Sequence, residues 1–220
     1  MNLLKLSTEK LEELISQATR EQKRRAAFQA TDFVSIKGNE CAKHAALIAL
    51  AGSHSIVFIG SHGVGKTMLR AAVNSIDPDL VTFEATPCPC GNHNNPAREC
   101  PCTPKQISKT LRGIPVAEIV VEVCRTSSRE METKLAGTST ADILPRIEPA
   151  KQFKASHGGT MQLDNNAASL LNHAYQDMGL SPDERQTAID VSKTIAALEE
   201  SKFVSAAHIA EAINLTRRFK

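Results

Sequence analysis

Tryptophan is absent from this 220-residue chain and tyrosine occurs once, so aromatic side chains make up only 4% of it. Large sheets draw on aromatic and β-branched residues, and the shortage argues against an all-β fold and for a helix-rich one. No apolar stretch approaches the roughly 18 to 20 residues that a membrane span needs, and the amino terminus has no apolar core of the secretory type. Charge is nearly balanced at +2, which leaves no global field to attract a polyanion. A local basic run, Arg20, Lys23, Arg24 and Arg25, reads as the solvated face of a helix. These absences describe a cytoplasmic chain long enough for one main core and a small satellite.

The strongest positive signal is local. Ser55 to Ile59 is an apolar run that reads as a strand, and it leads directly into Gly60-Ser61-His62-Gly63-Val64-Gly65-Lys66-Thr67. Met68 to Val73 then continues as helix, which gives the strand, loop and helix order that a phosphate-binding loop requires. Gly60, Gly63 and Gly65 free the backbone so that amide groups can turn toward phosphate oxygens, and the helix start adds its positive end. Lys66 can reach the β- and γ-phosphates and the Thr67 hydroxyl can ligate Mg²⁺, so the segment through Met68 predicts a site for ATP and Mg²⁺.

Hydrolysis also calls for an apolar strand ending in a carboxylate that serves the metal or the attacking water. No hydrophobic run followed by Asp-Glu is present. Glu84, at the end of an expected strand Leu80 to Phe83, and Glu122, within a strand expected over Ile119 to Val123, are the nearest substitutes. Strands often finish in ordinary exposed acids, so Glu84 stands only as the candidate catalytic carboxylate.

Six cysteines would suit disulfides in a secreted protein, but a nucleotide loop implies a reducing compartment. Cys88 and Cys90, then Cys100 and Cys102, form two C-x-C pairs separated by nine residues, within a proline-rich loop spanning 87–104. Four thiolates so placed can hold a tetrahedral Zn²⁺ that staples a loop with little core of its own, the alternative being four free thiols. His93 lies between the pairs and could replace one sulfur. Cys41 and Cys124 stand in apolar contexts and are expected to be packing residues.

The rest of the chain reads mainly as helix. An amphipathic helix is expected from Ser7 to about Phe28, and an Ala- and Leu-rich buried helix from Glu40 to Ala51, ending at Gly52. Residues 125–159 are polar and weakly patterned, and read as loop with some helix. From Leu163 onward, Asp164 caps a helix that stops at Gly179. Ser181-Pro182-Asp183-Glu184 forms a capping box that opens a second helix, and a third starts near Ser205. Together these three predict a small bundle separable from the nucleotide domain.

Three stretches also carry a family likeness. Asp32-Phe33 through Gly38-Asn39-Glu40 to the loop with Lys66-Thr67-Met68-Leu69, the cysteine loop, and the carboxy-terminal segments Gly179-Leu180-Ser181, Lys193 to Ala196 and His208 to Ala212 resemble the AAA+ module of magnesium-chelatase subunit I and the related ComM competence proteins. The resemblance implies an α/β P-loop NTPase (AAA+) core with a helical lid, here shortened, and assembly as a ring of identical or different subunits. The implied organisation is an N-terminal helix at 1–31, a core with its cysteine loop at 32–124, a polar connector at 125–160 and a lid at 161–220.

Departures from the family pattern are as specific. Near Leu80 and Val81 the chain lacks the long segment that holds the Walker B acids. Thr86 stands at the position of the family's sensor asparagine, Val116 at that of its arginine finger, and Asp183 at that of the lid's sensor arginine, with Arg185 nearby. Loss of an arginine finger alone costs ~10³ to 10⁵ in rate. The expectation is an Mg-ATP-binding AAA+ protein whose hydrolysis is weak or needs a partner. The alternatives are an ATPase that remodels DNA and a zinc-stapled interaction module with a relic P-loop.

Overall fold

The computed structural model describes residues 32–132 and 137–217. The helix expected over Ser7 to Phe28 and the basic run within it lie outside the described residues. Among those described, no helix is long and apolar enough to cross a membrane.

The fold is built around a parallel three-stranded sheet. Its central strand β1 (Ile56–Ile59) pairs on one side with β2 (Thr82–Ala85) and on the other with β3 (Ile119–Glu122), giving the order β2-β1-β3. All four β1 residues are buried, as a strand covered on both faces requires. Ile56 and Phe58 point into the main core, whereas Val57 and Ile59 form a smaller apolar cluster with Ala117 on the opposite face. The second strand begins two residues later than expected because Ile56 lies opposite Thr82, while Val81 contributes only its carbonyl to the Ile56 N–H. Glu84 consequently lies within β2 and not beyond its end.

Helix α1 (Glu40–Gly52) is apolar on nearly every side, with Ala45, Ala46, Ile48 and Ala49 fully enclosed, and it forms the axis of the molecule. Its small side chains let strands and other helices approach closely. The expected stop at Gly52 falls one residue early. Gly52 is the last helical residue, and the left-handed turn is made by Ser53 at φ 55°. Glycine is needed at 52 for space, since a Cβ there would lie 2.2 Å from the His54 ring and 2.7 Å from Thr194 Oγ1.

Helix α2 (Lys66–Ile76) follows the glycine loop and buries Leu69, Ala72 and Val73 against the sheet. Beyond the cysteine loop, α3 (Pro104–Arg112) is opened by a Thr103–Gln106 capping box, and a short α4 (Ser128–Glu132) follows β3. Residues 140–157 form one 18-residue helix, α5, inside the segment that reads as polar connector. Its buried residues Ile143, Ile147 and Ala150 recur at helical spacing. Pro145 and Pro149 both lie on the exposed side, where water can serve the carbonyls they leave unbonded.

The lid helices form much as the caps predict. Asp164 accepts from the Ala167 N–H at the start of α6 (Asn165–Asp177), and Gly179 takes φ +62° just beyond its end. The Ser181–Glu184 box opens α7 (Pro182–Leu198), and Ser205 caps α8 (Ala206–Thr216). A two-residue parallel ladder, β4 (Gln162–Leu163) with β5 (Phe203–Val204), closes the far end. The bundle is not separate from the sheet core. One continuous apolar cluster runs from Phe33 through Phe58 and Leu69 to Leu171, Val191 and Ile213.

A buried polar chain crosses the same seam. His54 faces Glu118 Oε1 at 2.9 Å through Nδ1 and Thr194 Oγ1 at 2.8 Å through Nε2, and Lys154 Nζ donates to Thr194 Oγ1 at 2.7 Å. These residues come from the α1–β1 turn, the approach to β3, α7 and α5. The chain therefore ties the P-loop strand's base to the lid.

Candidate nucleotide and metal sites

The glycine loop sits between the carboxyl end of β1 and the amino end of α2, where parallel sheets place their ligands. Gly63 at φ +76° and Gly65 at φ +100° take backbone conformations that side chains disfavour. Gly60 serves differently from expectation, because its φ is ordinary. A Cβ there would come 2.3 Å from the Val123 carbonyl oxygen, so the requirement is closeness to the neighbouring strand. Val64 is buried in the core and Ser61 is also buried, which fixes the loop from beneath.

Lys66, 8% exposed, donates from Nζ to the Gly60 and Ser61 carbonyls at 2.9 and 2.6 Å. Burial pulls its ammonium below the usual lysine range, and Glu84 opposes that pull. An anion at the loop would offset that cost by favouring the charged ammonium. Thr67 donates from Oγ1 to Glu84 Oε2 at 2.7 Å, and Arg70 Nη1 lies 3.1 Å from Glu84 Oε1. A cavity of about 510 Å³ opens here, lined by His62, Gly63 and the run from Gly65 to Met68, and by Glu84, Ala85 and Thr86 across from them. The donors suit a triphosphate. A hydroxyl and a carboxylate 2.7 Å apart suit Mg²⁺, which takes few protein oxygens and completes its shell with phosphates and water.

Of the two acids in question, the fold brings Glu84 to the loop and sends Glu122 elsewhere. Glu122 Oε1 accepts from Asn94 Nδ2 of the cysteine loop at 3.2 Å. Val116 is 68% exposed between α3 and β3. Neither it nor Asp183 or Arg185, both in the first turn of α7, lines either cavity beside the loop. Arg98 and Arg125, which no motif signals, line a second cavity of about 690 Å³ that also touches His62, Gly63 and Val64. Clustering of cations around the loop's outer side could be found only with the fold in hand.

The four cysteines of the loop converge. All four sulfurs lie within 4.8 Å of one another, with Cys88–Cys90 at 3.4 Å, Cys90–Cys100 at 3.5 Å and Cys100–Cys88 at 3.7 Å. A tetrahedral zinc with bonds of about 2.3 Å sets sulfur–sulfur edges of about 3.8 Å, so the set fits the ion nearly as it stands. None of the four is in a disulfide. His93 contributes its backbone N–H to Cys88 Sγ at 3.3 Å, and the ligand set is the four sulfurs without its ring. Burial pushes the Cys88 thiol up, but N–H groups of His93 and Asn92 and the adjacent thiols outweigh it and bring it to about 7. Cys90 is pushed up to about 12, since burial and its three thiol neighbours outweigh the Asn92 N–H.

Cys41 and Cys124 are not the packing residues expected, for both are exposed. Cys41 occupies the outer side of α1. Cys124 lies just past β3, its main chain bonded in both directions to the Asn39 side chain at 2.9 and 3.0 Å.

Comparison with known proteins agrees with this layout. A family model for magnesium chelatase, subunit ChlI, matches residues 32–86, and one for the C-terminal part of the same subunit matches residues 126–216. The competence protein ComM of Haemophilus influenzae is 41% identical over 54 residues, covering 24% of this chain and 11% of that protein. The uncharacterized protein YifB of Escherichia coli is also 41% identical over 54 residues, with the same coverage of each chain. The matched stretch thus spans about a tenth of the length of these curated relatives.

Proposed function

This chain belongs to the magnesium-chelatase and ComM-like AAA+ family, and from that premise we propose that it binds Mg-ATP and acts through binding more than through turnover. The observation that carries this reading is the arrangement at the start of α2. Lys66 is buried at the mouth of a glycine loop, and Thr67 and Glu84 meet at 2.7 Å beside it. Lys66 and the loop amides would hold the β- and γ-phosphates, with the end of α2 adding its positive dipole. Thr67 and Glu84 would hold Mg²⁺, so that Glu84 supplies the carboxylate a Walker B strand gives elsewhere in the family. Bound Mg²⁺ neutralises phosphate charge and orients the oxygens around the γ-phosphorus.

Hydrolysis needs more than this set. A cation facing the γ-phosphate from a neighbouring subunit would complete it, and Val116 supports the reading that this chain does not provide one to its own neighbours. The protein therefore works as a homo- or hetero-oligomer in the cytoplasm, with turnover slow unless a partner contributes the missing cation. The four cysteines hold a structural Zn²⁺ in this reading.

Equilibrium binding of a fluorescent ATP analogue with Mg²⁺, run beside phosphate release, tests the proposal. Saturable Mg²⁺-dependent binding with little phosphate release is the expected result. Absence of binding would refute it. A second reading, an active ATPase, is favoured by the Glu84 carboxylate at Thr67, and turnover stimulated by DNA would select the form of it that works on DNA.

A further inference from the structure

The cysteine cluster and the phosphate loop are not two separate devices. Cys88-Pro89-Cys90-Gly91 forms a turn closed by the Gly91 N–H donating to the Cys88 carbonyl at 3.1 Å. Gly91 sits at φ +71° and is buried, and its own carbonyl accepts the His62 backbone N–H at 2.8 Å. A Cβ on Gly91 would lie 1.8 Å from the His62 ring. The turn that presents two of the four sulfurs is thus hydrogen-bonded directly to the third residue of the phosphate loop.

Little else holds this turn in place. Between residues 87 and 103, only Pro87, Cys88 and Gly91 are buried. The loop's further anchor is Asn94 on Glu122, at the end of the strand beside β1. A segment with so little core is ordered by whatever joins its sulfurs, and a four-thiolate metal site supplies that order on binding. The phosphate loop, in turn, must hold successive amides within hydrogen-bond reach of the phosphate oxygens.

We infer that Zn²⁺ at Cys88, Cys90, Cys100 and Cys102 regulates the nucleotide site by fixing the Gly91 carbonyl against the His62 N–H. The inference rests on the ATP reading above and adds that the two ligands are thermodynamically coupled. Metal binding favours one position of the 88–91 turn, that position holds His62, and the loop is then set for phosphate. Coupling of this kind is reciprocal, so nucleotide must tighten zinc by the same factor that zinc tightens nucleotide, within the usual range of about 5- to 150-fold.

The test uses the full chain, with zinc removed by a zinc-selective chelator and desalting and then restored, and a fluorescent ATP analogue titrated at saturating Mg²⁺. Stripping zinc is expected to raise the nucleotide Kd by about tenfold, and one equivalent of Zn²⁺ per chain is expected to restore it. A competition titration against a chromophoric chelator should show zinc tightening by the same factor when Mg-ATP is present. Gly91→Ala keeps all four thiols but strains the turn, so it should bind one zinc, lose nucleotide affinity by a similar factor and show no coupling. That variant remains informative if the stripped protein unfolds. Equal nucleotide affinity with and without zinc, failure to bind zinc, or a Gly91→Ala variant coupled like the parent would each overturn the inference. Absence of nucleotide binding in every metal state would instead sink the ATP reading itself.

Discussion

Replacing Thr194 by valine tests whether the lid is locked to the P-loop core by the buried polar chain. Valine keeps the shape and leaves no cavity, so the change isolates the hydroxyl. In the parent, His54 is 4% exposed and burial holds its pKa below the ordinary 6.5 despite the opposing Glu118. A neutral ring with its Nδ1–H on Glu118 leaves Nε2, at 2.8 Å, as the nearer acceptor for the Thr194 hydroxyl, ahead of the Asp190 carbonyl at 3.2 Å, and the same hydroxyl receives Lys154. Thr194→Val strands both Nε2 and one N–H of a half-buried ammonium. An unsatisfied buried polar group costs ~1 to 3 kcal/mol, more where a charge is involved, so a loss of about 2 to 4 kcal/mol is expected. For a chain of this size that lowers Tm by roughly 4 to 16 °C. Urea unfolding followed by circular dichroism, with the parent alongside, reads the change directly. A variant within about 0.5 kcal/mol of the parent would refute the claim that this chain is a structural lock.

Other outcomes follow from the same geometry. The parent should lose stability as pH falls below about 6.5, because the unfolded chain then takes up a proton that folded His54 resists, and Glu118, held below 4.5 first by its His54 bond against the cost of burial, adds a further loss in more acid solution; a flat stability profile from pH 7 to 5 would contradict this. Gly60→Ala should displace the loop from Val123 and cost about 1 to 3 kcal/mol together with nucleotide affinity, and unchanged binding would show that the closeness is not needed. Glu84→Gln should raise the Mg²⁺ concentration for half-maximal nucleotide binding by about tenfold, whereas an unchanged Mg²⁺ requirement would remove Glu84 from the metal's shell.

What the sequence discloses here depends on how local the cause is. The strand, loop and helix order around Gly63 and Gly65, the caps at Asp164 and Ser181 and the helix start near Ser205 depend on neighbours a few residues away, and they fold as their spacing predicts. Helix α5 falls where the sequence reads only as loop with some helix, because the segment is polar and weakly patterned and its Pro145 and Pro149 have the look of breakers until their exposed placement is known. Helix α3 did carry a readable signal, the Thr103-Pro104-Lys105-Gln106 capping pattern, obscured by the cysteines before it. The tetrad of sulfurs was legible as residues but not as distances. The His62–Gly91 bond, the Arg98 and Arg125 cavity and the fused core depend on long-range packing that no local pattern encodes. Gly52 and Gly60 show the limit well, since both look conformational and both are steric.

Thermal unfolding with and without Mg-ATP, in the parent and in Lys66→Ala, tests the central claim most directly. A ligand at 100 times its Kd stabilises by ~2.7 kcal/mol, which in a chain of this size raises Tm by about 5 to 11 °C. The account predicts that rise in the parent and none in Lys66→Ala. No rise in the parent, or an equal rise in both, would contradict it.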